Sequence, residues 1–76
     1  MKILVEKFGF DTTARPPVYC SQTLAKTDDG LEHYIDGTLR AQVPTVAAVD
    51  YLESENVKQL LTESEMQKVR GEFTDF

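Results

Sequence analysis

Residues 27–43 read TDDGLEHYIDGTLRAQV, and this stretch sets out the first half of the fold. Residues 27–30 combine two aspartates with a glycine, which is typical of a turn because glycine readily adopts positive φ. Asp36-Gly37 follows after five residues and suits the two-residue type I′ turn of a β-hairpin. The stretch therefore predicts strands over 31–35 and 38–43. A helix over 31–36 is the alternative, because Leu31 and Ile35 are also four residues apart.

The hairpin turn predicts which residues of the two strands face each other. The expected pairs are Ile35 with Thr38, Tyr34 with Leu39 and His33 with Arg40. On this register one face carries Tyr34, Leu39, Ala41 and Val43. The other carries Leu31, His33, Ile35, Thr38, Arg40 and Gln42. The first face has fewer polar side chains, so it is predicted to face the core.

Two further strands are predicted on the N-terminal side of this hairpin. Residues 2–8 are rich in Ile, Leu, Val and Phe and are expected to end at Gly9. Residues 11–17 read as a loop, because Pro16 and Pro17 lack the N–H groups that a central strand needs. A second strand is predicted over about 18–25.

The C-terminal half is predicted to be helical. Val46, Val49 and Leu52 recur at a spacing of three, which indicates an apolar stripe on a helix that begins near Pro44. Ser54 can cap a second short helix, although one helix over 45–61 is equally compatible with the pattern.

A third helix has the clearest local signal in the chain. Thr62 and Glu65 fit the two positions of a capping box. Gly71 fits the C′ position, so the predicted helix spans 63–70. Its apolar side is expected to carry Met66, Val69 and Phe73.

Together these elements predict a single α+β domain over residues 1–76. Three or four antiparallel strands of the N-terminal half are expected to pack against two or three short C-terminal helices. A chain of 76 residues is long enough for one core and too short for two.

The residues that most often carry out catalysis are scarce. His33 is the only histidine and Cys20 the only cysteine, so an intramolecular disulfide and a zinc cluster are both excluded by composition. A Cys20–His33 nucleophile–base pair can be drawn on adjacent strands, but nothing in the spacing requires it. No glycine-rich phosphate motif occurs. We therefore expect no catalytic residue, no cofactor and no metal.

The charge pattern indicates a protein partner instead of nucleic acid. The net charge is −5, and residues 50–65 hold five acids against one base, Lys58. Direct binding to phosphates requires a basic patch, so we expect no direct contact with nucleic acid. The acidic stretch either meets a basic surface on another protein or is simply a solvated face that keeps the chain soluble.

The remaining candidates for contact are aromatic. Seven aromatic residues are many for a core of this size, and such side chains are enriched at interfaces. The predicted partner-binding residues are Asp50, Glu53, Glu55, Glu63, Tyr51, Phe73 and Phe76.

These features favour a non-enzymatic interaction module of the cytoplasm. We expect a regulator or inhibitor that covers a surface of a larger protein, with a basic nucleic-acid-binding site as one such surface. Accessory proteins of viruses and mobile elements are an analogy for this class. The alternative is a self-assembling structural or accessory subunit, in the simplest case a homodimer. No apolar run reaches the roughly 18–20 residues of a membrane span, so no membrane contact is expected.

Overall fold

A computed structural model describes residues 1–74 and shows an α+β fold, as predicted. The strands are β1 (Lys2–Asp11), β2 (Val18–Lys26), β3 (Gly30–Ile35) and β4 (Thr38–Pro44). The helices are α1 (Thr45–Leu52), α2 (Glu55–Leu60) and α3 (Glu63–Thr74). The strands form an antiparallel sheet in the order β1-β2-β3-β4, so β1 and β4 are its two edges.

The β3–β4 hairpin forms at the predicted turn. Asp36 and Gly37 have φ values of 50° and 83°, as a type I′ turn requires at both positions. The first two predicted pairs, Ile35 with Thr38 and Tyr34 with Leu39, are present.

The third predicted pair is wrong. A register shift between His33 and Tyr34 places Ala41, instead of Arg40, opposite His33. The extra residue in β4 makes a bulge, and a shift of one residue exchanges the two faces of a strand.

The bulge also divides the predicted core face of the hairpin, which is right for Ala41 and Val43 but wrong for Tyr34 and Leu39. Leu31 and His33 are buried and lie opposite Val43 and Ala41, whereas Leu39 is exposed. Tyr34, which pairs with Leu39, lies with it on the other side of the sheet.

The three helices cover one side of the sheet, here called the inner face. The core contains the buried residues Leu24, Leu31, Ala48, Leu52, Val57, Leu60, Leu61, Val69 and Phe73. Gly9 lies where α2 approaches β1 closely, because a methyl group at this position would collide with Leu60. β1 does not end at Gly9 as predicted but continues to Asp11.

The structure decides between one helix over 45–61 and two short helices, the alternatives that the sequence leaves open. Two short helices form in place of one over 45–61. Ser54 occupies the N-cap position of α2, but its hydroxyl donates to the Tyr51 carbonyl oxygen and makes no capping hydrogen bond. The predicted stripe is wrong at its first residue, because Val46 is 93% exposed while Ala48 and Leu52 are buried.

The capping box of α3 is confirmed. The Glu65 amide donates to Thr62 Oγ1 at 3.2 Å, and the Thr62 amide donates to Glu65 Oε1 at 2.9 Å. The predicted end at Gly71 is wrong, because α3 continues to Thr74. The extra turn places Phe73 in the core, where its side chain is 3% exposed.

Candidate functional site

The inner face contains a buried polar cluster centred on His33. His33 Nε2 lies 2.8 Å from Gln22 Oε1, and His33 Nδ1 lies 2.7 Å from the Tyr51 hydroxyl. The Gln22 amide in turn donates to the Gly9 carbonyl oxygen at 3.3 Å. Burial lowers the pKa of His33 and raises that of the Tyr51 hydroxyl. Both imidazole nitrogens are thus engaged in holding β2, β3 and α1 together.

The environment of Cys20 is also typical of a structural residue and not of a nucleophile. Its thiol is buried and lies 3.8 Å from the Gly9 carbonyl oxygen. Burial raises the pKa of the thiol, which disfavours the thiolate that a nucleophilic cysteine needs. Since the His33 nitrogens are directed to Gln22 and Tyr51, the nucleophile–base pair that can be drawn from the sequence is not assembled.

An ion pair joins the two edge strands on the inner face. Arg40 Nη2 of β4 lies 2.6 Å from Asp11 Oδ2 at the end of β1. The hydrogen bond from Arg40 lowers the pKa of Asp11 to about 2, with a second contribution from Thr13. The pair closes the end of the sheet next to Cys20 and His33.

Two of the four predicted acidic contact residues, Glu53 and Glu63, have cations as neighbours on the helical side. Glu53 lies 3.4 Å from Arg70 Nη2, and Glu55 accepts a hydrogen bond from Gln59. Glu53 and Glu63 line a groove of about 440 Å³ together with Lys58 and Arg70. Asp50 is exposed on α1. The helices therefore present a surface of mixed charge instead of a continuous acidic one.

The three predicted aromatic contact residues have different positions. Tyr51 is half-buried, and its hydroxyl is engaged with His33. Phe73 lies in the core, because α3 continues for one turn beyond its predicted end. Its ring is therefore buried and offers no surface to a partner. Phe76 lies outside the described residues.

A group of aromatic residues that the sequence analysis did not select lies on the opposite side of the sheet, here called the outer face. Phe8, Phe10 and Tyr19 are 62%, 56% and 61% exposed. The Tyr19 ring is stacked on Phe8 at 5.8 Å and meets Phe10 edge-on at 5.1 Å. These three residues form one contiguous surface, which we call the aromatic patch.

The strand geometry explains why the patch forms. Gly9 and Asp11 face the helices, so Phe8 and Phe10 face outward, and the register places Tyr19 beside Phe10. The signal in the sequence is Phe8-Gly9-Phe10, which puts two rings on one face of a strand. The strand predicted from the sequence ends at Gly9 and leaves out Phe10, so the pair of rings on one face is not recognised.

The outer face continues across the sheet from the patch. Tyr34 and Leu39 form a cross-strand pair there, and the Tyr34 hydroxyl donates to Glu32 Oε1 at 2.7 Å. Glu6 is two residues before Phe8 and so lies on the same face. The outer face thus combines aromatic rings with carboxylates.

The lysines and the arginine of the strands all lie on the inner face of the sheet. Lys7 pairs with Glu65 at 2.7 Å, and both Lys2 and Lys26 pair with Glu72, at 3.0 and 3.7 Å. Because Glu65 and Glu72 belong to α3, these lysines lie on the helical side. Arg40, the fourth strand cation, pairs with the buried Asp11.

Among residues 1–74, histidine, cysteine and acidic side chains form no group of three or more that could hold a metal ion. None of the helices described there is both long enough and apolar enough to span a membrane. No family model, curated protein or solved structure matches this chain significantly.

Proposed function

We propose that this protein is a non-enzymatic interaction module, a regulator or inhibitor that covers a surface of a larger protein through its outer face. The observation that carries the proposal is the aromatic patch, three adjoining rings that are each more than half exposed. Aromatic residues dominate the energetics of interface centres, and a sheet keeps them in fixed positions.

The size of the patch is in the range of a functional surface. An aromatic side chain carries roughly 200 Å² of surface, so the three rings expose about 350 Å² between them. A standard interface covers about 800 Å² on each partner. Ile3 and Leu39, each about half exposed, add apolar area elsewhere on the outer face.

The interior supports the non-enzymatic part of the proposal. His33 and Cys20 are buried and hydrogen-bonded within the core, an arrangement that favours a structural role for both. A reducing compartment suits Cys20 as a free thiol, so the proposal places the protein in the cytoplasm.

The test is affinity purification from the native host with matched variants. Phe8→Thr combined with Tyr19→Thr removes two of the three rings of the patch and keeps residues that suit a strand. Glu53→Gln combined with Glu55→Gln changes the helical side instead. We expect the first double variant to lose the proteins that the wild type recovers and the second to retain them. Equal recovery by the patch variant would refute the proposed surface.

Self-assembly is the second candidate function, supported by the free side of β1. This strand has ten residues, lies at the sheet edge and, within residues 1–74, pairs with β2 alone, while its outward side chains include Ile3, Phe8 and Phe10. A long apolar edge strand is a template for pairing with another chain. Light scattering over a dilution series distinguishes the two functions, because a chain that stays monomeric up to millimolar concentration is not a self-assembling subunit.

A further inference from the structure

We propose that the outer face recognises arginine side chains on a cationic surface of its partner. The inference rests on the proposed function and specifies the chemistry of the partner. It depends on three observations: the exposure of the rings, the presence of carboxylates beside them, and the direction of the strand cations.

Positive and negative charges are separated between the two faces of the sheet. Lys2, Lys7, Lys26 and Arg40 are the four lysines and arginines of the strands, and each pairs with an acid on the inner face. Glu6 and Glu32 remain on the outer face. Arg15, which belongs to none of the strands, lies in the β1–β2 connection. The strands therefore offer an outer face that is aromatic and negative.

The outer face has the spacing and chemistry to bind a guanidinium group. Residues two apart on one side of a strand are about 7 Å apart, so Glu6 lies within reach of a group stacked on the Phe8 ring. A guanidinium group is planar, stacks on aromatic faces and donates hydrogen bonds to carboxylates at the same time. A lysine ammonium is strongly hydrated and lacks the flat surface. The outer face should therefore prefer arginine to lysine at equal charge.

The negative charge of the outer face favours an arginine-rich partner over single-stranded nucleic acid. Exposed rings on a sheet can also stack with bases, but such platforms combine the rings with a positive groove for the backbone. Here Glu6 and Glu32 would repel phosphates. Sites that bind nucleic acid are rich in arginine, and they normally receive flat bases together with negative phosphates. The outer face presents flat rings in place of bases and carboxylates in place of phosphates, so it is complementary to such a site on another protein.

The experiment uses the full chain and two peptides of equal charge, hexa-arginine and hexa-lysine. Chemical-shift titration at 0.15 M salt gives the dissociation constants and maps the contact residues. We expect hexa-arginine to bind about threefold to tenfold more tightly than hexa-lysine, and its advantage to disappear in Phe8→Thr and Tyr19→Thr.

Two charge variants form the matched control. Glu6→Gln and Glu55→Gln each remove one negative charge, the first from the outer face and the second from a helix. We expect Glu6→Gln to weaken hexa-arginine binding severalfold and Glu55→Gln to leave it nearly unchanged. Equal effects of the two variants, or equal affinities for the two peptides, would overturn the inference.

Two other occupants of the outer face give different results. Binding of a dT oligonucleotide that is lost in Tyr19→Thr would replace arginine recognition with base stacking. Concentration-dependent dimerisation that is lost in the same variant would assign the face to a second copy. If the patch variants lose the cellular partner but the wild-type chain binds hexa-arginine and hexa-lysine equally, this inference fails while the proposed function stands.

Discussion

The Asp11–Arg40 ion pair gives a quantitative prediction for the stability of the sheet. Asp11→Asn removes the charge but keeps a carbonyl oxygen at nearly the same position. The pKa of Asp11 falls from 3.8 to about 2 in the folded chain, chiefly through the hydrogen bond from Arg40. One pKa unit corresponds to about 1.4 kcal/mol, so the shift sets an upper limit of about 2–3 kcal/mol.

Solvent reduces this limit. The Arg40 side chain is 38% exposed, so water screens its attraction to the carboxylate. We therefore expect Asp11→Asn to lower the free energy of unfolding by about 1–2 kcal/mol at pH 7. For a domain of this size the total is only about 5 kcal/mol, so urea unfolding followed by circular dichroism resolves the change.

The pH dependence separates the ion pair from other effects of the substitution. Because the pKa is lower in the folded state, the stabilisation is fully present above about pH 4 and is lost as the pH falls through about 2. At pH 3 roughly half of the difference between wild type and variant should remain. Asp50→Asn removes the same charge from an exposed helical position and should cost little at either pH. The reasoning is refuted if Asp11→Asn costs as much at pH 3 as at pH 7.

Three further predictions concern the helices and the buried histidine. Gly71→Ala should raise the free energy of unfolding by about 0.5–1 kcal/mol, because Gly71 is an exposed helical residue with open space around it; a loss in urea unfolding would contradict this placement. Thr62→Ala should lower it by about 1 kcal/mol, since it removes one half of the capping box, and an unchanged urea midpoint would count against that. The His33 imidazole should titrate below pH 6.5 by NMR. Stability should accordingly decline as the pH falls below 6.5, because the unfolded chain takes up the proton first; a titration above 6.5 would contradict the burial of the ring.

The sequence predicts those elements that local chemistry determines. Asp36-Gly37 specifies the hairpin turn through its backbone preferences, and Thr62 with Glu65 specifies the start of α3 through two side-chain hydrogen bonds. In both places the residues that carry the signal are also the residues that make the contacts, so no distant part of the chain is needed.

Where tertiary packing decides, the local pattern misleads. The bulge beside Arg40 accompanies the pairing of Arg40 with Asp11, which lies 29 residues away, and it moves Tyr34 and Leu39 from the predicted core to the outer face. Gly71 resembles a helix end, but the burial of Phe73 extends α3 by another turn. Neither contact can be read from neighbouring residues.

The aromatic patch could be predicted only in part. Phe8-Gly9-Phe10 indicates two rings on one face of a strand, provided that the strand continues past Gly9. That continuation depends on Leu60, which packs against the glycine from α2. Tyr19 joins the patch through the β1–β2 register across a six-residue connection, which no short-range turn rule specifies.

Hydroxyl-radical footprinting of the aromatic side chains, in the free chain and in the complex recovered from the host, tests the role of the outer face most directly. Phe8, Phe10 and Tyr19 should be oxidised readily in the free chain, with the buried Phe73 as a slow internal reference. Binding should lower the oxidation of all three rings at least severalfold while Phe73 stays unchanged. Equal oxidation of the three rings in the free and bound chain would show that the partner binds elsewhere.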